Sequence, residues 1–275
     1  MNLNSEHIKK DLERFHLKMG YECNINNPNT HNEKVMRYKY TSRDPKLTWT
    51  ADKIRVKSYI NNLIPGNTLL ENRFTTYFLK DLDEKVLQPP CVLKMNHGSG
   101  YNMFRFDDSL SVKEIINTLD PWSKSRYGVN KGEWCYDNIV PGVIVEPVLF
   151  KGNHMVYRFL TFSGKVKHIH AHEYEFKDKS GKILPIAISC STYTRNWSYE
   201  NVQYKELDNY QLPKPKNLGE MISIAEKLGD DLPFVRIDLY DLGHRIEFSE
   251  MTHYPVSGKC KFTPYEFDLM LGECW

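Results

Sequence analysis

The 275-residue sequence predicts an α+β fold, and three observations point to it. Segments with helical spacing occur in both halves of the chain. From Gly142 onward the texture changes to strands and tight hairpins. The two kinds of segment are mixed without strict strand–helix–strand alternation, which argues against a doubly wound parallel sheet. A chain of this length can bury a large core, and the expectation from length is about two domains.

Taken in order, Ser5 can cap a first helix in which Ile8, Leu12, Phe15 and Met19 fall at helical spacing and which Gly20 ends. The stretch from Cys23 to Lys46 is rich in Asn, Thr and charge and reads as loop. A second helix begins near Thr50, with Ile54, Tyr59, Ile60 and Leu63 as its buried stripe and Pro65-Gly66 as its stop. Ser111-Val112-Lys113-Glu114 is a capping box that opens a short helix. Val143 to Leu149 is an apolar strand with one acid inside it, Glu146. Val156–Phe162 and Val166–Ile169 form a hairpin on the two-residue turn Ser163-Gly164. Asp178 to Lys216 is polar and carries no clear element. Asn217 caps a helix with Met221, Ile222, Ile224, Ala225 and Leu228 on its apolar face. The last unit is a hairpin of Phe234–Tyr240 and Arg245–Glu250 around Leu242-Gly243.

Composition narrows the function classes. The net charge of +2 supplies no strong field for nucleic acid or for an anionic membrane. No apolar run reaches the roughly 18 residues that span a bilayer, and the polar N-terminus is no signal peptide. The six cysteines form no Cys-x-x-Cys pair and no zinc spacing, as expected of reduced thiols in a cytoplasmic protein.

Five motifs can carry chemistry. Val92-Leu93-Lys94-Met95-Asn96-His97-Gly98-Ser99-Gly100 delivers a lysine from a strand into a glycine turn, which suits a polyphosphate. A plain connection is the competing reading. Arg236 and Asp238 share one strand face, and Glu250 stands across the hairpin. Two converging carboxylates suit Mg²⁺; a surface ion pair is the alternative, and Glu247 is a rival ligand because spacing leaves the register open. Lys53, in Ala51-Asp52-Lys53 at a helix start, is either solvated or aimed at an anion gathered there. Glu146-Pro147-Val148-Leu149 can meet an adenine edge, or be only an acid at a strand end. His168, His170 and His172 alternate on one strand and read as an exposed polar face, a transition-metal site or a substrate-facing row.

Together and in order, these words resemble the ATP-grasp superfamily, and more narrowly the TupA-like ATP-grasp proteins of polysaccharide and teichuronopeptide biosynthesis. Thr30-His31-Asn32-Glu33-Lys34, Gly132-Glu133-Trp134, Ser249-Glu250-Met251-Thr252 and Lys261-Phe262-Thr263-Pro264 belong to the same resemblance, which runs from about Asn27 to Gly272. It implies two α+β lobes clamping ATP: an N-terminal extension over 1–48, a first lobe with the glycine loop over 49–145, and a metal-binding lobe over 146–275. It implies ATP contacts from Lys53, Lys94, the mobile loop His97, Gly98, Ser99 and Gly100, and the hinge Glu146, Val148 and Leu149. Mg²⁺ would be held by Asp238 and Glu250, with Thr252 where many relatives carry Asn. Arg236 and the backbone of Ser257 and Gly258 would stabilise a tetrahedral intermediate. Arg158 stands where similar sequences often place a lysine, a planar fork in place of a point charge.

The implied activity is a carboxylate–amine ligase that joins an amino acid or amine to a uronate carboxylate on a sugar or glycan. An ATP-grasp kinase acting on a sugar hydroxyl is the second reading, and a non-catalytic glycan- or metal-binding module the third.

Overall fold

The structure, a computed structural model, describes residues 6–64, 72–179, 182–204 and 206–275. Helix α1 (Glu6–Met19) buries Ile8, Phe15 and Met19, and Gly20 turns the chain out of it at φ 83°. Ser5 lies outside the described residues. The stretch read as loop contains α2 (His31–Thr41), opened by a capping box between Thr30 and Glu33. Its inward face escaped the hydrophobic pattern because it carries Asn32, Glu33 and Lys39 as well as Val35 and Met36. The helix expected from Thr50 is two, α3 (Pro45–Ala51) and α4 (Arg55–Leu63). Asp52 makes the break: its carboxylate accepts from the amides of Ile54 at 2.8 Å and Arg55 at 3.4 Å. Lys53 thus sits in the joint and not in a helical turn. Pro65 and Gly66 lie outside the described residues.

The first sheet is antiparallel in the order β1-β4-β2-β3, made of β1 (Phe74–Thr76), β2 (Cys91–Met95), β3 (Asn102–Arg105) and β4 (Val143–Pro147). Between β3 and β4 come α5 (Val112–Ser123), which has the expected Ser111–Glu114 capping box, and the single turn α6 (Trp134–Asp137). Leu93, Met95, Val143 and Val145 pack on Ile115 and Leu119 to form this lobe's core.

The second sheet begins with the expected hairpin, β5 (His154–Phe162) and β6 (Lys165–Lys179). Ser163 and Gly164 both take positive φ, as its two-residue turn needs. Residues 182–194, read as featureless, form β7 (Lys182–Thr194), followed by the short β8 (Tyr199–Glu200) and β9 (Gln203–Tyr204). Its isoleucines were the visible strand signal, diluted by Ser and Thr on the same strand. Asn217 is the N-cap residue of α7 (Leu218–Gly229), but its amide binds Asp241 at 2.7 Å and does not cap the helix. Then come β10 (Phe234–Asp241), β11 (Ile246–Thr252), β12 (Phe262–Thr263) and α8 (Glu266–Glu273). The order is β11-β10-β5-β6-β7-β8, with β12-β9 as a separate pair.

Phe159, Ile237 and Leu239 from this sheet meet Met221 and Leu228 of α7 and also Ala51, Val56 and Ile60, so α3 and α4 pack into the larger core. Beyond the sheets, Phe176 of β6 makes edge contacts with Phe104 of β3 and with Phe106, at 5.4 and 5.5 Å.

Candidate active site

The two sheets face each other across a cleft of about 340 Å³, a size that suits a small ligand. On the first sheet, Glu146 of β4 pairs with Val92 of β2, two residues from Lys94 on the same face. Lys94 Nζ lies 2.7 Å from one Glu146 oxygen and Lys57 Nζ 3.2 Å from the other. Burial opposes the charge on Lys94, but Glu146 and its neighbours outweigh it, so its pKa is raised. The Glu146 carboxylate is therefore occupied by two lysines, and what it offers is the position of Lys94 rather than a free contact to a base.

Lys53 is brought in by Asn96. The Asn96 amide nitrogen donates to Asp52 at 2.9 Å, and its oxygen accepts from Gly142 at 2.7 Å, tying the α3–α4 joint to the end of β2. Lys53 Nζ donates to the Gly98 carbonyl at 2.7 Å and stands 3.9 Å from Glu250. Burial lowers its pKa and Glu250 opposes that shift. In the glycine turn, a Cβ on Gly98 would come within 2.9 Å of the Tyr101 ring, and Gly100 has φ 84°. His97 does not line the cleft. Its buried ring lies against Tyr101, with Nε2 3.2 Å from the Trp122 carbonyl, so it anchors the turn.

The opposite wall settles the register. Asp238 pairs with Glu250 and Arg236 with Thr252, with a bulge after Asp238. Glu247 falls opposite Tyr240 and pairs with Arg245 at 2.9 Å; it lines the cleft away from the Asp238–Glu250 pair. Arg236 grips both Asp238 oxygens at 2.6 and 2.7 Å, and one Nη also reaches Glu250 at 2.8 Å and Thr252 at 3.1 Å. Arg158, on β5 beside Asp238, approaches it to 3.3 Å. Two carboxylates supply the oxygen donors a hard cation takes, and two lysines and a glycine turn face them. This donor set fits Mg²⁺ with a triphosphate. Thr252 also accepts from Arg236 but does not line this cleft, which sets it apart from the other two expected metal ligands.

Lys53, Lys94, Gly98, Ser99, Gly100, Glu146, Val148, Leu149, Asp238 and Glu250 all line the first cleft. Sequence reasoning missed Lys57, one turn beyond Lys53, which holds Glu146. It also missed the aromatic walls Phe104, Tyr174, Phe176 and Tyr240. Tyr240 was within reach, because strand alternation puts it on the face of Asp238.

A second cleft of about 470 Å³ adjoins the first, and Ser99, Arg158 and Glu250 line both. Arg236, Thr252, Glu133 and Ser257 line only the second. Burial raises the pKa of Glu133, against the pull of Lys39. Val256 and Ser257 hold positive φ of 49° and 57°. The Ser257 amide already donates to Tyr254 at 2.8 Å, and its hydroxyl accepts from Lys39 at 3.0 Å. Gly258 faces α2: a Cβ there would lie 3.0 Å from the Asn32 carbonyl and from Met36. The Ser257 amide is thus used within its own turn; Ser257 lines this cleft and Gly258 is not among its lining residues.

The histidine row is buried, not exposed. His168 meets Glu200 at 3.0 Å, and His170, His172 and Cys190 hold their ligand atoms within 4.8 Å of one another. Arg158 Nη1 reaches His172 Nε2 at 3.2 Å, and a guanidinium there opposes a second cation.

No helix among the described residues is long and apolar enough to cross a membrane. No curated protein matches the chain. Similar solved structures include a D-alanine–D-alanine ligase from Bacillus anthracis, at 19% identity over 75% of this chain and 58% of that one, TM-score 0.42. The ATP-grasp ligase PsnB complexed with minimal precursor shares 10% over 81% and 59%, TM-score 0.42. An L-amino acid ligase from Bacillus licheniformis shares 15% over 74% and 43%, TM-score 0.41. The chain spans less than two thirds of the length of each. Residues 33–275 match the TupA-like ATP-grasp family, and with that match joined to its α+β lobes the chain belongs to the TupA-like ATP-grasp family.

Proposed function

We propose that this ATP-grasp protein is an ATP-dependent carboxylate–amine ligase that works through an acyl phosphate, with a uronate-bearing sugar or glycan as the acid and an amino acid or amine as the nucleophile. The observation that carries this reading is the junction of the two clefts at Ser99, Arg158 and Glu250. One cleft offers lysines, a glycine turn and a carboxylate pair, which suits Mg-ATP. The other opens onto the same carboxylate and carries Arg236.

In this reading Lys53 and Lys94 hold the phosphates, and Asp238 and Glu250 would hold Mg²⁺, which would supply charge neutralisation to the transferring phosphoryl group. An acceptor carboxylate oxygen attacks the γ-phosphorus, the bond to the bridging oxygen breaks, and ADP leaves. The amine nitrogen then attacks the carbonyl carbon of the acyl phosphate. Arg236 stabilises the developing oxyanion, inorganic phosphate leaves, and the nitrogen loses a proton. The turn at Gly98–Gly100 covers the junction and excludes water from the acyl phosphate. The cationic second cleft favours a carboxylate over a neutral hydroxyl as acceptor.

The test is ADP and phosphate release over a panel of uronates and amino acids. Equal ADP and free phosphate, with an amide product, supports the ligase. ADP with a phosphorylated product and no free phosphate assigns a kinase. Absence of Mg-ATP binding in calorimetry leaves only a binding module.

A further inference from the structure

The ligase reading gives the second cleft an acceptor carboxylate but does not account for its far end. Six cationic side chains line this cleft against three carboxylates, Asp11, Glu133 and Glu250. Two of the cations, Arg158 and Arg236, belong to the junction. The other four, Arg14, Lys18, Lys131 and Lys259, are more than the reacting carboxylate needs.

Arg14 and Lys18 stand one turn apart on α1, exposed and lining the cleft, and among the described residues neither makes an ion pair. Helix α1 precedes the part of the chain that matches the family. It is nevertheless fixed against the cleft. Asp11 binds Lys39 at 2.5 Å and Lys259 at 2.7 Å, and Lys39 in turn holds the Ser257 hydroxyl. Asp11 is thus neutralised by the lysines it ties together and does not cancel Arg14 or Lys18. Lys131 is steadied over the Tyr127 ring at 4.2 Å and donates to its hydroxyl at 2.7 Å.

We propose that Arg14 and Lys18 of α1, with Lys131, form a subsite for a second anionic group on the acceptor. The acceptor class is then an acid with at least two anions, one reacting at the Glu250 junction and one seated under α1. A second carboxylate or a phosphate would serve, since both accept from guanidinium and ammonium donors. The inference rests on the ligase reading for which anion reacts, but its binding test does not need turnover.

The experiment is calorimetric titration of the full chain, with the first cleft saturated by Mg²⁺ and a non-hydrolysable ATP analogue. The probes are galacturonate, digalacturonate and galacturonate 1-phosphate. The two-anion probes are expected to bind about tenfold tighter than galacturonate, by an amount that shrinks as salt rises. Arg14→Gln with Lys18→Gln is expected to remove that preference, with its thermal melt and analogue titration showing that it remains folded. Whichever two-anion probe gains more identifies the second group as carboxylate or phosphate. Equal affinity for all three probes in the wild type, or a preference that survives in the double variant, overturns the proposal. If the preference is present but no acid stimulates ADP release, the subsite stands and the ligase reading fails.

Discussion

The two clefts share a wall but are built in different ways. The first is assembled from short continuous words. One strand and its turn supply Lys94 and Gly98–Gly100, and one hairpin supplies Asp238 and Glu250. The second draws Asp11 from α1, Glu133 from the start of α6, Tyr204 from β9 and Lys259 from the loop before β12. Regular secondary structure fixes the spacing in the first cleft. Tertiary packing fixes it in the second, through the buried Lys39–Asp11 contact. A site held by strand geometry should lose chemistry when mutated, whereas one held by a buried ion pair should lose structure.

Asp238→Asn gives the largest expected effect. Removing one of the two carboxylates proposed to hold Mg²⁺ is expected to lower ADP release about a thousandfold or more. Full activity in this variant would break the assignment of the first cleft. Next comes Asp11→Ala, which leaves Lys39 buried and unpaired. Its cost is expected to be about 3–5 kcal/mol in urea unfolding. A change under about 1 kcal/mol would show that the second cleft does not depend on that pair. Lys94→Ala takes away the lysine proposed to grip the phosphates and is expected to weaken Mg-ATP binding about 10- to 100-fold by calorimetry, with little change in stability. Val256→Gly relieves a β-branched residue at positive φ and is expected to raise stability by about 1 kcal/mol at most, measured by thermal melting.

A further effect is in pH dependence. Burial lowers the Lys39 pKa to about 8, with Lys259 adding to the shift and Asp11 opposing it. Below pH 8 folded and unfolded chains both hold the proton. Between about 8 and the ordinary lysine value of 10.5 the unfolded chain binds more of it, so this group's contribution to stability improves as pH rises. The stability difference between wild type and Lys39→Met should therefore shift toward wild type from pH 8 to 10. A flat difference would show that Lys39 is not desolvated.

The same contrast explains what the sequence revealed. Alternation in Phe234–Tyr240 put Arg236 and Asp238 on one face, and the bulge that skips Ser249 brings Glu250 opposite Asp238. Glu247 could be set aside only once the hairpin register was seen, which puts it opposite Tyr240. Helix α2 was hidden because its buried face holds Asn32, Glu33 and Lys39, polar groups satisfied by distant partners such as Asp268 and Asp11. The Thr30–Glu33 capping box was its only local sign. Gly258, read as a loop donor, also packs on α2, and nothing local shows that a Cβ there would lie 3.0 Å from the Asn32 carbonyl. The second cleft was legible only in part: Glu133, Arg158, Arg236, Thr252 and Ser257 stood in quoted words, whereas Arg14, Lys18, Lys131 and Lys259 come from well-separated elements and share no motif.

Phe176 has a mechanical consequence. The two sheets are joined covalently through the segment after β4, and again where Phe176 meets Phe104 and Phe106. A body tied at one point swings like a door. A body tied at more points has fewer ways to move, and here Asn96 of the segment after β2 adds a third tie by donating to Asp52 beside α3. The aromatic clasp thus has two jobs at once: Phe104 and Phe176 wall the first cleft and also couple the two sheets that form it.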